Sequence, residues 1–145
     1  MRHSGATQSF EIVGARPAPQ GSKSLMRLRS GRSIMVESSR MVKPWRSLVA
    51  NAARDAGIAM RDGPVAVSIV TRWTRPASHY GKRGLRATAA AYPGYADCDK
   101  LARAIFDALA GIAYRNDRQV VRFEISRVWC GDGEAPGAFV TVSDA

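Results

Sequence analysis

The chain has 145 residues, 46% of them hydrophobic, which is enough for one domain with a real core and leaves little room for a second. With 22 Lys and Arg against 12 Asp and Glu, the formal net charge is +10, so a polyanionic partner is expected, and phosphate backbones are the commonest one. No apolar run approaches the roughly 20 residues of a spanning helix and no signal-peptide pattern opens the chain, which reads as soluble, intracellular and without a membrane partner.

Taken in order, Met1–Ser9 reads as a flexible terminus, and Phe10–Val13 alternates apolar and polar residues as a strand does. Gly14–Ser24 contains two prolines and Gly21 and reads as a loop. Lys23, Arg27, Arg29 and Arg32 make this region basic, and either solvation or phosphate contact accounts for that. Ser33–Glu37 is a short strand placed to form a hairpin with the basic segment before it. From Met41 to Ala56 the period changes to 3.6, with Trp45, Leu48, Val49 and Ala52 or Ala53 on one face and Arg46, Asn51 and Arg54 on the other. This predicts a helix capped by Ser38 or Ser39 and ended by Gly57, with Trp45 in the core. Pro64–Trp73 alternates again and is a strand. Arg75–Tyr95, with its prolines and glycines, reads as a long mobile basic loop. Its Lys82, Arg83 and Arg86 with Tyr80, Tyr92 and Tyr95 suit a segment that orders on nucleic acid; solvated disorder is the alternative.

The stretch from Asp97 to Val121 carries the chemistry. Asp99 is placed to cap a helix from Lys100 to Ala110 or Gly111, whose apolar stripe is Leu101, Ala104, Ile105, Ala108, Leu109 and Ile112. Phe106 lies off that stripe and is expected to be exposed, as a partner surface would be. Asp99, Arg103 and Asp107 form a column on the opposite face, which a surface ion-pair ladder would explain by itself. Two features point further. Asp97 and Asp99 stand together where one capping acid would suffice, and Asn116-Asp117 precedes the alternating strand Val121–Trp129. If that strand lies beside Pro64–Trp73, an acid at its start approaches the helix head. Successive strand residues face opposite ways, so of Asn116 and Asp117 the ionised Asp117 is the candidate. Clustered acids in a basic chain call for a cation, and all-oxygen donors favour Mg²⁺, or Mn²⁺ as a substitute, over zinc. Cys98 and Cys130 are too few for a disulfide framework or zinc site, and His3 and His79 stand alone, so no catalytic triad is indicated.

On Asp97, Asp99, Leu101, Asp107, Ala108, Leu109, Asp117, Gln119 and Val120 the chain resembles the RusA family of Holliday-junction resolvases. Its motif runs Asp-x-Asp-Asn-Leu-x-Lys-x-x-x-Asp-Ala-Leu, then Asp-Asp-x-Gln-Val or Ile. Pro19-Gln20-Gly21-Ser22-Lys23 and Val36-Glu37-Ser38-Ser39 also resemble the phage-borne members. The resemblance implies an α+β single domain, a small mixed β-sheet packed against two main helices, homodimeric, working in the cytoplasm of a bacterial host. It implies Mg²⁺-dependent cutting of four-way DNA junctions in recombination and repair, with Asp97, Asp99 and Asp117 as catalytic metal ligands. Lys100 and Arg103 would orient the phosphate, with Lys23, Lys82, Arg83 and Arg86 as further DNA contacts. Three positions depart from the motif: Lys100 for Asn, Arg103 for Lys and Asn116 for the first Asp of the pair. Arg103 keeps the charge but replaces a compact ammonium with a planar fork. The rival reading is a non-catalytic binder of branched or single-stranded DNA.

Overall fold

The computed structural model describes residues 5–21, 23–37 and 40–145, with 23–26 and 34–37 described by their backbone alone. The chain passes through β1 (Gln8–Val13), the hairpin β2 (Lys23–Arg27) and β3 (Ser33–Glu37), α1 (Val42–Asp55) and β4 (Val65–Trp73). A two-residue hairpin, β5 (Tyr80–Gly81) and β6 (Gly84–Leu85), leads to α2 (Cys98–Leu109), β7 (Val120–Trp129) and β8 (Gly137–Asp144). The main sheet has the order β1-β8-β4-β7: β8 is antiparallel to β1 and β4, and β4 is parallel to β7. Because parallel neighbours cannot be joined by a tight turn, the chain crosses from β4 to β7 through α2, which runs antiparallel to both strands: the α2 head lies by the end of β7, at Arg127, and the turn before β7 meets the middle of the helix, at Arg103, and not its head as expected. The result is an α+β domain with two helices on a mixed sheet, as expected.

β4 is the central strand for a reason visible in its composition. Val65, Val67, Ile69, Thr71 and Trp73 are buried, and so are Ala66 and Arg72 on the other face, where a solvent-facing strand would alternate. Arg72 is tolerable there because its guanidinium pairs with Glu11 at 2.9 Å and donates to the Ile12 and Ala135 carbonyls. Gly137 sits where β1 passes so closely that a Cβ would lie 1.8 Å from the Ile12 carbonyl oxygen, so no side chain fits. Trp45, Val49 and Ala53 of α1 join Ala104, Ile105, Ala108 and Leu109 of α2 in one core with the inner face of the sheet.

Several expectations change. Leu48 is 44% exposed, because it falls roughly 100° from the middle of the stripe formed by Val42, Trp45, Val49 and Ala53. Phe106 is 9% exposed and not a free aromatic: the Phe123 ring meets it edge-on at 5.1 Å. α2 begins at Cys98 with Asp97, not Asp99, at the N-cap, and Asp99 falls in the first turn. Gly111 follows the C-cap with φ of 87°, the left-handed conformation that a C-terminal glycine supplies. Asp117 opens a 3-10 turn, Asp117–Gln119, instead of the strand, which starts at Val120. The segment 75–95 contains a 3-10 turn at Ala77–His79 and the β5–β6 hairpin. It is tied to β7 by the Trp129 indole, which donates to the Ala90 carbonyl at 2.8 Å. β1 starts at Gln8, and Gly5 donates to the Asp144 carboxylate, so the described part of the N-terminus is anchored. β8, whose Ala138, Val140 and Val142 are fully buried, was not anticipated. Met1–Ser4, Ser22, Ser38 and Ser39, the last two expected as caps of α1, lie outside the described residues.

Candidate active site

The α2 head is held from two sides. The Arg127 guanidinium of β7 donates to the Ala96 carbonyl, one residue before Asp97, and the Gln20 backbone amide donates to the Lys100 carbonyl at 3.0 Å. The first bond ties the acids to the sheet, and the second lays the Gly14–Gly21 loop against the first turn. Between loop and helix lies an open cleft of about 540 Å³ lined by Gln20, Gly21, Asp99, Lys100, Arg103 and Asp107. Arg46 of α1 links two of these residues, 3.7 Å from the Asp107 carboxylate and 3.4 Å from the Gln20 side-chain oxygen.

Asp97 places its backbone at the N-cap, but its side chain makes no capping hydrogen bond. Asp117 reaches α2 from the 3-10 turn and accepts from Arg103 Nη1 at 2.9 Å. This turn has its own support. The Asn116 side-chain oxygen accepts from the Arg118 amide, and Gln119 Oε1 accepts from the Arg115 and Asn116 amides. Gln119 Nε2 donates to the Arg61 and Gly63 carbonyls and pins the turn to the segment before β4. Thus Asn116 caps, Asp117 faces the helix, and Gln119 anchors. Behind the ion pair the buried Tyr114 hydroxyl donates to the Phe106 carbonyl at 2.8 Å. Burial, and then the nearby charges of Asp117 and Asp107, push its ionisation well above the usual tyrosine range.

Of the residues singled out in the sequence, Asp99, Lys100 and Arg103 share the cleft, and Asp117 joins through Arg103. Lys82 and Arg83 are exposed at the tip of the β5–β6 hairpin, and Arg86 follows it, donating to the Tyr80 carbonyl. None of these three lines the cleft. Lys23 starts β2, two residues after Gly21, and its side chain lies outside the described residues. Sequence reasoning missed Arg46 as a partner of two cleft residues, Asp107 and Gln20; its only signal was a cation on the polar face of α1. As donors, three carboxylates fit a hard divalent cation. Their arrangement is not closed around one: among the described residues, no three Asp, Glu, His or Cys side chains converge on a metal position, and Arg103 occupies one oxygen of Asp117.

The family model for endodeoxyribonuclease RusA matches residues 15–143, nearly the whole chain. The chain belongs to the RusA family. Comparison with individual curated proteins gives no match. The RusA match covers every element that builds the cleft, from the Gln20 loop through α1 and α2 to the Asp117 turn. It makes the protein an endodeoxyribonuclease by family, of the Holliday-junction-resolving kind. Among the described residues no helix is long and apolar enough to cross a membrane.

Proposed function

We propose that this RusA protein is a Mg²⁺-dependent endonuclease that resolves four-way DNA junctions in recombination and repair, acting as a two-fold homodimer with one site per cut strand. The observation that carries this is the cleft, where Lys100 and Arg103 stand with Asp99 and Asp107, and where Arg103 is paired with Asp117. Cations are needed to hold a phosphate, and acids to hold a divalent ion; here both lie along one helix face. Asp97, Asp99 and Asp117 would hold the ion, which when bound supplies activated water and neutralises charge on the leaving oxygen. The side chains do the rest. Lys100 attracts the scissile phosphate as a point charge, and Arg103 orients it with paired donors, at the same time balancing the charge of Asp117 in the free protein. Arg127 and Gln20 fix the helix head so that these groups keep their spacing. Pairing two copies about a two-fold axis matches the symmetry of a junction with two strands to cut.

The rival reading, a binder of branched DNA without catalysis, draws on the same ion pair, since Arg103 engages a carboxylate that the metal needs. Cleavage of a synthetic four-way junction beside a linear duplex separates the two. The expected result is nicking of the junction alone, only with Mg²⁺ or Mn²⁺. Asp99→Asn is expected to abolish cleavage while binding stays intact or tightens, because it removes a negative charge facing DNA. A protein that binds junctions but never nicks them would establish the rival.

A further inference from the structure

We infer that β7 is the dimer interface: the β7 strands of two copies pair antiparallel across the two-fold axis, centred on Phe123. This rests on the dimeric reading above and goes beyond it by locating the interface.

β7 has 10 residues and lies at the edge of the sheet with β4 on one side; among the described residues no strand pairs with its other side. A long edge presents a row of backbone donors and acceptors that can template another strand. Its two halves differ. Arg127 and Trp129 are engaged by the 90–96 segment through the Ala96 and Ala90 carbonyls. Val121 through Glu124 are all exposed, Val121 at 62% and Phe123 at 46%. A partner strand using the open half must therefore be centred near Phe123.

Charge chooses the register. In a two-fold antiparallel pair, residues equally far before and after the centre stand opposite each other on the same face of the sheet. Centring on Glu124 sets two carboxylates opposite each other, and centring on Arg122 sets two guanidiniums opposite each other; both repel. Centring on Phe123 sets Arg122 opposite Glu124 twice, Val121 opposite Ile125 twice, and Phe123 opposite itself. Each Phe123 ring already packs edge-on against the buried Phe106, so the self-pair would join two such pairs into one aromatic row. The net charge of +10 on each copy opposes association, so moderate salt should tighten the dimer while it weakens DNA binding.

The test uses the full chain with Cys98→Ser and Cys130→Ser. Phe123→Cys should form a disulfide-linked dimer under mild oxidation, because directly opposed Cα atoms stand about 4.5–5.5 Å apart, within disulfide range. Ser126→Cys should not, since the two copies of this position would be offset by six residues, or about 20 Å. Phe123→Cys also removes a ring, so a second set of variants leaves that ring in place. Arg122→Glu and Glu124→Arg should each raise the dimer dissociation constant about tenfold in sedimentation equilibrium, and the double swap should restore it. A dimer that cross-links at Ser126 and not at Phe123, or that ignores the charge reversals, would overturn this interface and leave the dimer standing. Reversals that weaken junction binding without changing the mass would assign the edge to DNA instead. A monomer at every concentration, with and without junction, would overturn both the interface and the dimeric reading.

Discussion

Removing the Arg103 guanidinium separates its two roles, because the structure sets different magnitudes for them. Its ion pair with Asp117 is short, 2.9 Å, but the two side chains are 57% and 33% exposed. A solvent-screened pair of this kind is worth about 0.2–1 kcal/mol, which in a domain of this size shifts the melting temperature by about 1–4 °C. Arg103→Ala should therefore melt within about 4 °C of the unaltered protein. Cleavage should suffer far more. Losing one pre-positioned donor aimed at developing charge costs about 2.7–4 kcal/mol, a rate loss of about 10²–10³. Arg103→Lys should fall between the two, keeping the charge and losing the fork. The assay is single-turnover cleavage of a four-way junction at saturating protein, with melting followed on the same preparations. If Arg103→Ala lost about 10 °C or more together with its activity, Arg103 would be a structural strut. If the cleavage rate were unchanged, Arg103 would not be the phosphate-orienting group.

The Asp117 turn provides a contrast between neighbours. Asp117→Asn should eliminate Mg²⁺-dependent cleavage, whereas Asn116→Asp should stay within about tenfold, or about 1.4 kcal/mol in barrier, since a carboxylate can accept the Arg118 amide as the amide oxygen does; an active Asp117→Asn protein would remove it from the site. Neutralising Lys82, Arg83 and Arg86 together should flatten the salt dependence of junction binding, the logarithmic slope falling by about 0.9 for each phosphate no longer neutralised. An unchanged slope in a salt titration would mean that the β5–β6 hairpin is only solvated. Burial and the Asp117 and Asp107 charges raise the Tyr114 ionisation in the folded state. The unfolded chain therefore releases that proton first, so stability is whole below about pH 10 and falls as pH rises further. Tyr114→Phe should cost about 1 kcal/mol at neutral pH, because the bond to the Phe106 carbonyl is gone, and should lessen the alkaline loss. Urea unfolding at about pH 8 and about pH 11 measures this, and an alkaline loss undiminished in Tyr114→Phe would contradict it.

Much of the fold was legible because it is written in short-range periodicity. The 3.6 period announces α1 and α2, and alternation announces β4 and β7, since each pattern depends only on which side of a local element is dry. The Asp97, Asp99 and Asp117 motif was equally readable, because family identity is carried by residue type and spacing. β8 escaped: its outward Phe139 is as apolar as its inward Val140 and Val142, so the alternation is blurred. Phe106 was misplaced because helical periodicity reveals one dry face, whereas α2 touches both α1 and the Phe123 ring of β7. The cap moved from Asp99 to Asp97 because long-range bonds, from Arg127 to Ala96 and from Gln20 to Lys100, set where the chain turns into the helix. The cleft itself follows from topology. Only the crossover from β4 through α2 to β7 sets Asp117 against Arg103, and only the return of the Gln20 loop walls the other side. Spacing along the chain contains neither of these approaches, because both depend on how strands and helices distant in sequence stack to bury a common core.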